Sequence, residues 1–160
     1  MRAGIGYDAH RLAPGIPLVL GGVAVSHDQG LVGHSDADVL THAVIDALLG
    51  AAALGDMGTY FPPSNPHYGG ISSLELLAQT RDILSRNGWK VVNVDATIVA
   101  ERPRLAPYTG HMCEALARTL HVDLRQINVK AKTTDGMGFV GTGEGMEAYA
   151  VAMVESLLNP

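Results

Sequence analysis

The spacing of hydrophobic and polar positions changes several times along this chain, and each change marks an element. Residues 2–7 read as a short strand. "IPLVLGGVAV", residues 16–25, reads as two short strands around Gly21-Gly22, a hairpin signal. Residues 33–56 carry the clearest helical period, with Ser35 as N-cap, Asp36 and Asp38 in the first turn and Gly55 at the end. "FPPSNP", residues 61–66, is a loop. A second helix is predicted over 72–88, where Ser72 and Glu75 have capping-box spacing and Gly88 suits the position after the last turn.

Residues 90–100 are β-branched and alternating, hence a strand. Pro103 and Pro107 bracket a turn, and Pro107 opens a third helix to about Leu120. Residues 127–134 alternate again, with Ile127, Val129 and Ala131 set against Lys130 and Lys132. Residues 135–145 follow with five glycines in eleven positions. "MEAYAVAMVESLL", residues 146–158, fits both periods: Met146, Tyr149, Ala150, Met153 and Val154 as a helix face, or Met146, Ala148, Ala150, Ala152 and Val154 as a strand face. The element order implies an α/β or α+β sandwich in which helices cover one face of a sheet. No repeat, linker or low-complexity tract divides the 160 residues, so 1–160 reads as a single domain.

The first helix carries an anomaly. Val39, Leu40, Ala43, Val44, Ala47 and Leu48 share one stripe, and His42 falls on the opposite side with Asp38 and Asp46 at i−4 and i+4. Ile45 and Leu49 share that side, so the helix is apolar almost all round and the polar ridge is buried. Taken alone, the ridge is either a solvated edge, a core histidine paired with a carboxylate, or a ligand set. Asp8 and His10, two apart on an extended segment, point to one side. With His42 they would give two imidazoles and one carboxylate around a position left open, the pattern of a catalytic zinc site. Asp46 or Asp38 could then orient the other nitrogen of His42.

Composition narrows the functions. The net charge of −5 with no lysine/arginine block argues against a nucleic-acid surface. No charged-then-apolar leader and no run of eighteen apolar residues is present, which predicts a cytoplasmic protein without membrane attachment. Cys113, the single cysteine, sits among Met112, Leu116 and Leu120 and reads as helix packing. His67, His111 and His121 read as surface residues.

"GIGYDAHRL" (4–12), "GHSDADVLTHAVIDALLGAAALGDMGTYFP" (33–62), "NVDATIVAERPRLAPY" (93–108) and "INVKAKTTDGMGFVGTGEG" (127–145) together resemble the 2-C-methyl-D-erythritol 2,4-cyclodiphosphate synthases of non-mevalonate isoprenoid biosynthesis. The resemblance spans essentially the whole chain, in order. It implies an α+β fold with a single four-stranded mixed sheet, helices on one face, and sheets facing the three-fold axis of a homotrimer with active sites at subunit interfaces. The last segment is then a strand.

The implied activity is that of a phosphorus–oxygen lyase. The 2-phosphate of 4-diphosphocytidyl-2-C-methyl-D-erythritol 2-phosphate attacks the β-phosphorus, CMP leaves and a cyclic diphosphate forms. Asp8, His10 and His42 are implied zinc ligands, and Asp135 the ligand of a second ion, Mg²⁺ or Mn²⁺. His34 and Thr133 are implied transition-state stabilisers. The implied substrate contacts are Asp8, His10, His34, Ser35, Thr133, Thr134 and Asp135 near phosphates and metals; Asp56, Met57 and Gly58 at the ribose, with Phe61 nearby; Ala100, Arg104, Leu105 and Ala106 in the cytosine pocket; and Phe139 and Thr142 within the glycine-rich stretch. Four positions depart from the usual pattern. Pro63 stands where Asp is frequent, Lys132 where a small or hydroxyl residue is common, Asp135 where Glu is usual, and Thr142 where many members have an Arg that holds isoprenoid diphosphates. The last predicts weak binding of such ligands on the axis. The same ligands would also serve a zinc-dependent phosphoesterase or a non-catalytic trimeric module for cytidine nucleotides.

Overall fold

β1 (Arg2–Pro14) runs well beyond the short strand predicted over 2–7. The structure, a computed structural model, describes residues 1–157. A hairpin follows, β2 (Leu18–Leu20) and β3 (Val23–Val25), closed by Gly21 and Gly22 at φ +57° and +72°. Two positive-φ residues in a two-residue loop match the twist of paired strands, as the Gly-Gly pair predicted. Then come β4 (Gln29–Leu31), α1 (Val39–Ala51), the one-turn α2 (Met57–Tyr60), α3 (Ser73–Arg86), β5 (Trp89–Val99), α4 (Thr109–Leu120), β6 (Ile127–Lys132), the one-turn α5 (Gly138–Gly141) and β7 (Gly145–Ser156).

The sheet is mixed and has five strands, ordered β4-β1-β7-β5-β6, with only β5 and β6 parallel. The expected count was four. The extra strand is β4, three residues pairing with the end of β1 through Leu12 and Leu31, too short to show a period. The terminal stretch, ambiguous by period, is strand β7 as far as Ser156, and Leu158 lies outside the described residues. β7 lies between β1 and β5, so its Met146, Ala148, Ala150, Ala152 and Val154 face the core while Tyr149 and Val151 face out.

Helix α1 lies on β1 and β7, with α3 packed beside it. Small residues on both sides make this close. A Cβ on Gly4 would stand 2.3 Å from the Ala47 carbonyl, and one on Gly6 1.9 Å from the Ala43 carbonyl. Gly4, Gly6, Asp8 and His10 alternate onto the same face of β1, so the two residues after the glycines continue under the edge of α1.

Four helix ends differ from their expected caps or starts. α1 begins at Val39 with Asp38 as N-cap, not Ser35, because Ala37 at φ +56° interrupts any earlier helical turn. It ends at Ala51 because Ala53 at φ +57° reverses the chain before Gly55 is reached. The Ser72/Glu75 capping box does not form: the Ser72 side chain makes no cap bond, and Asp36, from another segment, accepts the Ser73 N–H instead. α4 starts at Thr109, two residues after Pro107. Gly88, at φ +77°, follows α3 as predicted.

Asp38 is fully buried and accepts from Gly21 N, Gly22 N, Thr41 N and Thr41 Oγ1 at 2.7–3.0 Å. Burial pushes its carboxyl above the usual carboxylate range, and these four donors hold against that shift. It ties the β2–β3 turn to the start of α1. Asp38→Ala orphans three backbone donors at once, and a loss of about 3 kcal/mol or more in urea unfolding is the expected result.

Candidate metal centre

Asp8 and His10 come from β1 and His42 from the second turn of α1. Asp8 Oδ2 lies 2.9 Å from His10 Nε2 and 2.9 Å from His42 Nδ1, and the two nitrogens are 3.2 Å apart. This is the cluster among the described residues whose ligand atoms could share one ion.

Each imidazole has its other nitrogen engaged. His10 Nδ1 donates to the Val32 carbonyl at 2.8 Å, which can only accept, so Nε2 is the nitrogen that faces the cluster. His42 Nε2 donates to Ser73 Oγ at 2.8 Å, with Ser35 Oγ at 3.1 Å. With both rings neutral, three lone pairs, one from each residue, therefore converge on one point. Such a set is favourable only around positive charge, and two nitrogens with one carboxylate oxygen suit a divalent ion of borderline softness. Without an ion, ring protons bridge the cluster instead: burial pushes the Asp8 carboxyl up, but its hydrogen bonds to His10 and His42 more than reverse this and bring it to about 2. Burial lowers the His10 pKa, and Asp8 outweighs burial and raises it. The acid is thus ionised under any ordinary condition.

Neither flanking carboxylate orients His42, contrary to expectation. Asp38 is committed to the hairpin turn. Asp46 accepts the Met57 N–H at 2.7 Å and so fixes the start of α2. The orienting groups are Ser73 and Ser35 instead. Ser73 lies 31 residues from His42, a contact that no local spacing signals.

The predicted site residues divide between two places. Asp8, His10, His34, Ser35, His42, Met57, Gly58 and Phe61 line one cavity of about 320 Å³, together with Asp46, Pro63, Tyr68 and Leu76. Pro63, noted as a departure, is therefore at the cavity wall. Asp56 caps α2 at its rim, bonding Thr59 N and Oγ1. His34 Nε2 reaches the Asn65 carbonyl at 3.3 Å, and the His34 carbonyl accepts from Gly70, which straps the loop before α1 to the loop before α3. Ala100, Arg104, Leu105, Ala106 and Thr133 line a second cavity of about 490 Å³ with Lys132. Its lining shares no residue with the first. Thr134 and Asp135 adjoin it in a turn that Glu101 organises by accepting from Thr134 N, Thr134 Oγ1 and Gly136 N. Glu101 carried no sequence signal beyond its place in the cytosine-pocket stretch. Asp135 is at φ +53°, a region that Asp tolerates better than most residues, and accepts from Thr133 Oγ1 at 3.3 Å. Phe139 and Thr142 line neither cavity; Thr142 Oγ1 donates to Glu144 at 2.7 Å.

Cys113 is half-buried against the core, and burial pushes its thiol up, consistent with packing. His67 and His111 are exposed, and His121 caps α4 at φ +57° within 2.9 Å of Arg81.

Two imidazoles and a carboxylate converging at the wall of an open cavity, on an α+β scaffold, define the class: a three-ligand centre of the kind that catalytic metal enzymes use. The YgbB family matches residues 1–155, and the chain belongs to it. A relative from Syntrophomonas wolfei, named 2-C-methyl-D-erythritol 2,4-cyclodiphosphate synthase, is 56% identical over 155 residues, 97% of this chain and 99% of its own. A solved 2C-methyl-D-erythritol-2,4-cyclodiphosphate synthase in a CDP-bound form aligns with a TM-score of 0.88 at 32% identity, covering 96% of this chain and 100% of that one. The bifunctional IspDF of Campylobacter jejuni aligns at 0.93 and 38% identity, covering 97% of this chain and 42% of that one.

Proposed function

We propose that this chain converts 4-diphosphocytidyl-2-C-methyl-D-erythritol 2-phosphate into 2-C-methyl-D-erythritol 2,4-cyclodiphosphate and CMP, in isoprenoid biosynthesis. The observation that carries the reading is the convergence of Asp8, His10 and His42 in the cavity that also holds His34 and Ser35. Whole-chain identity to relatives of that name supports it.

The reaction forms one bond and breaks one. An oxygen of the 2-phosphate bonds to the β-phosphorus, and the oxygen bridging the α- and β-phosphorus leaves with its electron pair as part of CMP. Both groups are anionic, so catalysis lies mainly in neutralising charge and aligning the attack. Asp8, His10 and His42 would hold zinc, and Asp135 would hold a second ion, Mg²⁺ or Mn²⁺. Bound there, the ions supply Lewis-acid stabilisation of phosphate charge. His34 and Ser35 face the same cavity as the zinc ligands and position the 2-phosphate. Asp56 accepts from ribose hydroxyls, beside the open backbone of Gly58. Ala100 to Ala106 receive the cytosine. Thr133 and Thr134 donate to the diphosphate, and Lys132, exposed at the second cavity, adds positive charge there.

In the homotrimer that the family resemblance implies, the second cavity of one subunit would complete the site begun by the metal cavity of its neighbour; within one subunit the two share no lining residue. An exposed apolar strip on the outer face of the sheet supports that assembly: Ile5, Tyr7, Tyr149 and Val151 are 72%, 48%, 42% and 47% exposed. No helix among the described residues is long and apolar enough to cross a membrane.

Phosphorus NMR tests the reaction. Incubated with substrate, zinc and magnesium, the protein is expected to give a cyclic diphosphate and CMP in equal amounts. Ring-free phosphate products would make it a phosphoesterase, and nucleotide binding without turnover a binding module. The metal reading has its own check. Zinc at a hundred times its Kd is expected to stabilise the fold by about 2.7 kcal/mol, raising Tm by roughly 5–11 °C, with a chelator reversing the shift. A melting curve indifferent to zinc counts against the cluster.

A further inference from the structure

His42 is the buried ligand of the three, and on the side away from the metal cluster a chain of groups fixes where the hydrogens lie. Asp36 begins that chain. Its Oδ1 accepts from Ser73 Oγ and from Asp38 N at 3.2 Å, and its Oδ2 accepts from Ser73 N at 2.9 Å. The Asp36 N–H itself donates to the Ile71 carbonyl at 3.1 Å, so the backbone of this residue is fixed too. An ionised carboxylate can only accept, so the single hydrogen of the Ser73 hydroxyl points at Asp36. What Ser73 has left is a lone pair, and the group 2.8 Å away is His42 Nε2. That nitrogen must carry the hydrogen. In the neutral ring that a metal requires, His42 Nδ1 then carries the lone pair, and it lies on the cluster side, 2.9 Å from Asp8 Oδ2.

Ser35 Oγ also lies near His42 Nε2, at 3.1 Å, and accepts from Ala37 N at 3.3 Å. No carboxylate fixes its hydrogen, so Ser35 can donate or accept and specifies neither tautomer. It also lines the cavity, whereas Ser73 is fully buried and does not. His10 has no comparable dependence, since the Val32 backbone sets its tautomer.

We infer that Asp36 and Ser73 form a relay that holds His42 in the one tautomer able to ligate a metal, and that Ser73 is a positioning residue setting the metal affinity of the centre. The inference rests on the reading that Asp8, His10 and His42 hold a divalent ion. Ser73 is the first residue of α3, and Asp36 sits where the positive end of that helix dipole favours negative charge. The relay thus joins the metal ligand on α1 to the start of α3. A carboxylate behind the hydroxyl also makes the imidazole a stronger donor toward a metal.

The test measures Zn²⁺ affinity of the full chain by chelator competition, and the visible spectrum of its Co²⁺ form. Ser73→Ala is expected to weaken Zn²⁺ binding roughly ten- to a hundredfold and to change the Co²⁺ bands. Asp36→Asn keeps an acceptor but loses the charge, so about a threefold to tenfold loss is expected, and this variant carries the test if Ser73→Ala does not fold. Thr80→Ala is the control for a merely structural role. Thr80 is equally buried and its hydroxyl bonds the Leu76 carbonyl within α3, so its loss lowers Tm and leaves the Zn²⁺ Kd unchanged. A folded Ser73→Ala protein with wild-type Zn²⁺ affinity and Co²⁺ spectrum overturns the relay. His42→Ala separates the two readings: if it abolishes binding while Ser73→Ala does not, the metal site stands and the relay falls. If His42→Ala also binds Zn²⁺ normally, both fall.

Discussion

His42→Ala is expected to abolish binding of the proposed zinc ion and to slow cyclisation by about a thousandfold or more, since phosphate charge would lose a stabilisation worth several kcal/mol. The effect is large because His42 is not one of several interchangeable donors. The pool of convergent ligands among the described residues consists of Asp8, His10 and His42. Asp8 and His10 then remain as two ligands on one strand, with the helix side of the ion open. The variant is expected to stay folded. The substitution leaves the Ser73 hydroxyl without its imidazole partner and opens a small void, a cost of about 1–3 kcal/mol. Metal content of the purified protein and single-turnover rates check both parts. A variant that kept a full complement of zinc and wild-type turnover would sink the ligand assignment.

Gly6→Ala is expected to be nearly as damaging, though it removes no ligand. The added Cβ would meet backbone, 1.9 Å from the Ala43 carbonyl oxygen and 2.7 Å from the Ala47 nitrogen. Backbone inside a helix cannot turn aside as a side chain can, so α1 must lift from β1. Overpacking of this kind costs about 3 kcal/mol or more, a fall in Tm of roughly 6–12 °C. Because His42 rides on the same helix, zinc affinity falls with stability. Gly50→Ala gives the contrast. Beyond its own helix, its Cβ would come nearest to the Ile5 carbonyl oxygen, at 3.9 Å, and an alanine there favours the helix by about 0.5–1 kcal/mol. Thermal melts of the two variants, with and without zinc, should therefore move in opposite directions. A Gly6→Ala protein as stable as wild type would show that the helix does not sit on the strand as described.

The parts of this protein legible in its sequence are those governed by local period. Alternation around Ile127 and β-branching over 90–100 marked β6 and β5, and the Gly21-Gly22 pair marked the hairpin. The convergence of Asp8, His10 and His42 was legible because the two-residue step of a strand and the 3.6-residue turn of a helix each expose a misplaced polar side chain. What escaped was decided across the fold. Ser35 looked like a cap and Ser72 like half of a capping box, yet Asp38 and Asp36 cap instead, from positions set by a left-handed Ala37 and by a partner 37 residues away. Asp46 had the spacing to support His42 and supports α2 instead. The terminal strand was undecidable by period because Ala and Met satisfy either pattern, and only its place between β1 and β5 resolves it.

The alternation in β1 has a consequence for error during folding. A strand can pair with its neighbour one residue out of step, and such slips commonly yield compact but wrong structures. Here the wrong step would bring Ile5 and Tyr7 beneath α1 where Gly4 and Gly6 belong, and no helix could dock on them at this distance. The same step would turn Asp8 and His10 away from His42. Docking of α1 thus acts as a proofreader of the strand, and every molecule that passes it carries its ligands aimed at the same point.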